Sequence, residues 1–205
     1  MTTRLCLIRH GETDWNASHR IQGQLDIPLN ENGRNQALTL SVPNRFSAIY
    51  SSDLSRAYET ARMFAGDTEV ITLHALRERH HGLFQGLTAD EAAMRYPEKF
   101  RRHKSRDPDY DLETGESLMQ FALRAGAVLD ALAKRHDGET IAIVTHAGVL
   151  DVIYRKATGR PLQTPRDFAV RNCSLNWFYT SDDGLKLEVW DEHYDIFKTA
   201  AESVE

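Results

Sequence analysis

Three short polar clusters in this chain hold side chains that together suit phosphoryl chemistry. Arg9-His10 follows a first apolar run, Ser52 to Arg56 follows a second, and Thr145-His146-Ala147-Gly148 follows a third. Guanidinium forks match phosphate oxygens bidentately, and a helix N-terminus with free backbone N–H groups favours an anion. A neutral imidazole attacks phosphorus without a metal, which makes a histidine beside arginines the expected nucleophile. The arginine charges are expected to lower its pKa and keep it unprotonated near neutral pH. A phosphomonoester has a poor leaving group, so a carboxylic acid has to protonate it. Glu78 and Glu12 are the candidates, with Asp53 a third carboxylate in the same motifs.

The elements between these clusters say whether they can meet. Short β-rich runs at Arg4 to Ile8, Phe46 to Tyr50, Glu69 to Leu73 and Thr140 to Thr145 read as buried strands. Asn30 reads as the cap of a helix from Glu31 to Leu40, and Asp53 as the cap of one starting at Leu54. Ser117 to His136 has amphipathic spacing, and Ala147 to Thr158 is closed by Gly159 and Pro161. Leu175 to Tyr179 and Leu185 to Trp190 flank Asp183-Gly184, a hairpin signal. The expected fold is therefore α/β: a three-layer sandwich with a mostly parallel six-stranded sheet, helices on both faces and an antiparallel edge strand. In such sheets ligands bind at the carboxyl ends of the strands, where all three clusters fall.

The 205 residues suit one domain spanning the whole chain, with a loop and helix insertion at about 74–115 that is too poor in apolar residues for its own core. A formal net charge of −5 argues against a nucleic-acid binder, so any positive potential is local and aimed at a small anion. No apolar run approaches the roughly 20 residues that span a bilayer, and the N-terminus reads straight into a strand; a cytoplasmic address is expected. Cys6 and Cys173, both in strand-like contexts, read as small buried hydrophobes.

The stretch RHGETDWN (9–16) resembles the signature of the histidine phosphatase superfamily, which includes the cofactor-dependent phosphoglycerate mutases. Gln22-Gly23 with Asp26 to Leu29, Ser51 to Ala57, Leu76-Arg77-Glu78 leading to Gly86, Gly115-Glu116-Ser117 and Thr145 to Gly148 are similar to its further motifs, in the same order. The resemblance implies that His10 is phosphorylated and Glu78 is the proton donor. It places Arg9, Arg56 and His146 on the phosphoryl oxygens, Asn16 on the phosphate, and Gln22 and Gly23 at the mouth, with Ala147 among the substrate-binding residues. It implies no cofactor and no metal, and it is compatible with a monomer, a homodimer or a tetramer.

Within that family the run Glu78 to Leu87 is closer to the mutase pattern. His81 and Ala89, however, stand where a substrate-binding tyrosine and a lysine are expected, and the segment from Tyr96 to Gly115 is as short as in phosphatases. A more open pocket admits water to the phosphohistidine. The reading is a phosphomonoester hydrolase for a small phosphorylated metabolite. A mutase, and then a phosphoprotein phosphatase or a non-catalytic phosphate-binding module, are the alternatives. His81, Arg101 and Arg102 are candidate substrate contacts, although RRHKSR (101–106) also reads as a solvated charge run. His19, His74, His103, His136 and His193 read as surface or packing residues, and Trp177 and Trp190 as sheet packing.

Overall fold

The computed structural model describes residues 2–40, 42 and 46–192; His193 lies outside them. The central strand, β1 (Arg4–Arg9), sends Leu5 and Leu7 to one face and Cys6 and Ile8 to the other, all fully buried. Such a strand needs cover on both sides, which is the condition of a parallel sheet. β2 (Ala48–Ser51), β3 (Val70–Thr72), β4 (Thr140–Thr145), β5 (Leu175–Ser181) and β6 (Gly184–Glu192) complete the sheet in the order β3-β2-β4-β1-β5-β6. The first four strands of that order are parallel, and the reversal comes through β5, antiparallel to both β1 and β6.

Two short helices, α1 (Asp14–Ala17) and α2 (Glu31–Leu38), follow β1. Asn30 caps α2 as expected, its Oδ1 accepting from the Gly33 N–H at 2.7 Å. α3 (Ser55–Ala65) covers one sheet face with Ala57, Ala61 and Ala65. Its cap is Leu54, which contributes no side-chain hydrogen bond; Asp53, expected there, is instead held by Arg77 through two bonds of 2.7 Å. A bidentate guanidinium outcompetes a capping N–H for a carboxylate.

Next come α4 (Ala89–Arg95) and α5 (Pro97–Lys104), then α6 (Leu118–Arg135) and α7 (Ala147–Thr158). α6 and α7 cover the other sheet face with Phe121, Leu129, Val149 and Ile153, among others. Gly159, at φ 69°, ends α7 in the left-handed region that glycine adopts freely. Among the described residues no helix is long and apolar enough to cross a membrane.

Two expectations need correction. The 74–115 segment does hold a small core: Phe84, Leu87, Ala92, Phe100, Tyr110 and Leu112 cluster apart from the two sheet faces, with Phe84 and Phe100 edge-to-face at 5.5 Å. These residues follow no helical or strand period, so pattern reading does not collect them. Cys173 is buried but lies in a turn before β5, at φ 55°, not in a strand.

Candidate active site

Register brings the clusters together. Arg9 pairs with Thr145 across β1 and β4, and the His10 N–H donates to the Thr145 carbonyl at 3.0 Å. The next residue on each strand is a histidine, and their ring centroids lie 5.1 Å apart. β2 ends alongside, where the Ser52 N–H donates to the Val144 carbonyl at 2.9 Å, and Arg56 stands in the first turn of α3.

His10 is 3% exposed, and its Nδ1 lies 2.6 Å from the Gly11 carbonyl oxygen. A carbonyl only accepts, so Nδ1 carries the proton and Nε2 presents a lone pair. The His10 pKa is held well below its usual value, chiefly by burial, with Arg56 and Arg9 adding to the effect. The arginines alone were expected to do this; desolvation is the larger cause.

The neighbours are cationic and only partly satisfied. Arg9 donates from Nη1 to the Val170 carbonyl, and Arg56 donates to the carbonyls of Leu25 and Gly23 at 2.8 Å each. Burial lowers both pKa values to about 10, so both stay protonated at neutral pH. Their Nε atoms, both ring nitrogens of His146 and Oε1 of Gln22 are buried without a hydrogen-bond partner. Buried polar atoms of this kind need partners, and the oxygens of a phosphoryl group supply acceptors for the donors among them. Gly23 sits at φ 55°, and a Cβ there would fall 2.1 Å from the Gln85 Oε1. Asn16 uses its Oδ1 in the cap of α1, accepting from the Thr13 N–H at 3.2 Å, which leaves its amide NH2 as the remaining donor.

Of the three candidate carboxylates only Glu78 borders the adjoining cavity, whose volume is about 580 Å³. Its Oε1 accepts from the Arg79 N–H at 2.7 Å and its Oε2 from the Gly148 N–H at 2.9 Å, in the first turn of α7. A Cβ on Gly148 would stand 2.1 Å from Oε1, so this glycine makes room for the carboxylate. Glu12 accepts from the Asn30 side chain at 2.9 Å and Asp53 is bound by Arg77; these bonds lower both pKa values and keep both groups ionised.

Ala147 and His81 line the same cavity. Arg101 and Arg102 do not reach it: Arg101 pairs with Glu98, while Arg102 pairs with Asp107 and lies over the Tyr110 ring. Further residues stand at this site that no motif in the sequence singled out. Arg79, 6% exposed, lines the cavity, and it adjoins Glu78 in a motif already in view. His103, read as surface or packing, lines it too, edge-to-face with His81 at 5.3 Å. Asn172 donates to the His10 carbonyl at 2.8 Å from 162 positions away, and no spacing rule predicts that.

The family model described as histidine phosphatase superfamily (branch 1) matches residues 5–193. The chain belongs to that superfamily. Phosphoglycerate mutase-like protein 4 of Arabidopsis thaliana is 40% identical over 197 residues, covering 92% of this chain and 84% of that protein. The metal-independent phosphoserine phosphatase of the same plant is 40% identical over 198 residues, covering 93% and 82%. The solved structure of an Entamoeba histolytica phosphoserine phosphatase in complex with 3-phosphoglyceric acid superposes with a TM-score of 0.85 at 29% identity, covering 93% of this chain and 98% of that one. With this membership the expected enzyme class stands: a histidine phosphatase acting on small phosphorylated metabolites.

Proposed function

We propose that this histidine phosphatase hydrolyses small phosphomonoesters that carry a carboxylate near the ester, O-phosphoserine foremost. The observation that carries the reading is the cavity beyond Glu78, whose wall holds Arg79, Lys104, Arg106 and Arg166. Its volume suits a small molecule, and its charge suits an acid. The name of the Arabidopsis phosphoserine phosphatase and the 3-phosphoglyceric acid bound by the Entamoeba enzyme support the same substrate class.

In the first step Nε2 of His10 attacks phosphorus in line with the ester oxygen. Arg9, Arg56 and His146 hold the non-bridging oxygens, the Asn16 amide adds a hydrogen bond to the phosphate, and Gln22 lines the mouth. The P–O bond breaks and Glu78 gives its proton to the leaving oxygen. In the second step water attacks the phosphohistidine, the P–N bond breaks, and Glu78 takes the proton from the water. His10 returns to its neutral form and inorganic phosphate leaves. Positioning and charge stabilisation supply most of the rate, as is general for phosphoryl transfer.

A mutase is the second reading, favoured by the Glu78 to Leu87 run and by the relative named mutase-like. Incubation with phosphoserine and, separately, with 3-phosphoglycerate in the presence of EDTA separates the two. The hydrolase releases inorganic phosphate from phosphoserine. Formation of 2-phosphoglycerate without phosphate release would establish the mutase instead. Two buried free cysteines are compatible with a cytoplasmic setting.

A further inference from the structure

We infer that Lys104 and Arg166 form a cationic rim that selects substrates by a negative charge on the leaving group, a reading that rests on the hydrolysis proposed above. The two residues come from different elements, the last turn of α5 and the loop between α7 and β5, yet both line the cavity that starts at Glu78.

Their neighbours in sequence are neutralised. Lys99 pairs with Glu113, Arg101 with Glu98, and Arg102 with Asp107. In the second segment Arg160 pairs with Asp167 and Arg171 with Asp191. Among the described residues Lys104 and Arg166 have no such carboxylate partner, and both are exposed on the cavity wall that they share with the buried Arg79 and the Asp151-paired Arg106.

The wall's own anions do not cancel them. Asp151 is already shared between Arg106 at 2.6 Å and Arg155 at 3.1 Å, and Glu78 is engaged by two backbone N–H groups. Arg79, deeper in the wall, has its pKa lowered to about 10 by burial and so adds another positive charge at neutral pH. The cavity adjoins the histidine pair through the chain itself, since Ala147 and Gly148, the residues after His146, line its wall beside Glu78. A ligand whose phosphate sits at Arg9 and Arg56, and whose far end enters this cavity, meets a surplus of positive charge there. A carboxylate relieves that surplus; an ammonium or a hydroxyl does not.

The Arg106–Asp151 bridge gives the rim a fixed geometry. Arg106 also donates to the Leu162 carbonyl at 2.7 Å, which ties the end of α5 to the loop that carries Arg166.

O-Phosphoserine and O-phosphoethanolamine differ only by the carboxylate, so the ratio of their kcat/KM values reads its recognition. Both are measured on the same preparation, and a partly unfolded fraction cancels in the ratio. The wild-type enzyme should prefer phosphoserine, and a Lys104→Ala/Arg166→Ala double variant should lose about tenfold of that preference. Lys104→Glu should lose more, and added salt should lower the wild-type preference because both side chains are exposed. An unchanged ratio in both variants would overturn the inference while leaving the hydrolase intact. Hydrolysis of neither ester would remove the phosphoserine reading proposed above and this inference with it.

Discussion

Gly148 offers a way to move the proposed acid without touching its chemistry. A Cβ there would lie 2.1 Å from the Glu78 Oε1, against an ordinary contact distance of roughly 3.5 Å. In Gly148→Ala the carboxylate therefore has to retreat by more than about 1 Å, a displacement worth roughly 10²-fold in rate at a reacting centre. Alanine is otherwise welcome near the start of α7, so the fold should persist. Glu78→Gln removes the proton itself, at a cost of about 10² to 10⁴. The discriminating assay compares kcat/KM for phosphoserine, whose alkoxide is a poor leaving group, with that for p-nitrophenyl phosphate, whose phenolate leaves unaided. This parameter reports steps up to phosphoryl transfer onto His10, before water enters. Gly148→Ala should lose about 10²-fold on phosphoserine and less than about tenfold on the aryl ester. Equal losses on both substrates would mean that Glu78 does not protonate the leaving group.

Other outcomes follow from burial. His10, His81 and His146 have pKa values held well below 6.5, and His103 is lowered to about 4, with burial the first cause in each case. The unfolded chain thus binds more protons below pH 6.5, so stability is complete above that pH and falls towards the folded pKa values. Each group contributes about 1.4 kcal/mol per pH unit, and a Tm that does not drop between pH 7 and pH 5 would contradict this. Burial raises the pKa of both free thiols, that of Cys173 to about 12, so a disulfide reagent at pH 8 should label neither until the protein is unfolded. Phe84 is fully buried and lies 5.1 Å from the His103 ring; Phe84→Ala should cost about 3–5 kcal/mol by thermal or urea unfolding and raise KM through the disturbed wall. A KM unchanged in that variant would separate the small core from the cavity.

The sheet was legible because its strands are short, apolar and buried on both faces: TIAIVT reads as a central strand without help from tertiary context. The meeting of the two histidine-bearing clusters at one sheet edge was legible for a related reason. Arg9-His10 and Thr145-His146 each stand at a strand end, and parallel register places strand ends side by side. What lay outside the sequence signal depends on contacts without periodicity. Asp53 reads as a cap until Arg77, 24 positions on, captures it. The insertion reads as coreless because its aromatic residues are spread from Phe84 to Tyr110. Arg101 and Arg102 draw attention by charge, yet their facing carboxylates Glu98 and Asp107 hold them at the surface, and the neighbouring Lys104 lines the cavity. Burial as the main depressor of the His10 pKa is likewise a property of the assembled site, not of any motif.

In the proposed mechanism everything starts with Nε2 of His10 taking the phosphoryl group. Rapid mixing with phosphorus-labelled phosphoserine, followed by alkaline quench and peptide mapping, tests it directly. The label should be stable in alkali, labile in acid, carried by the peptide containing His10, and absent from His10→Ala. Turnover by His10→Ala at the wild-type rate, or a label carried by any other residue, would contradict it.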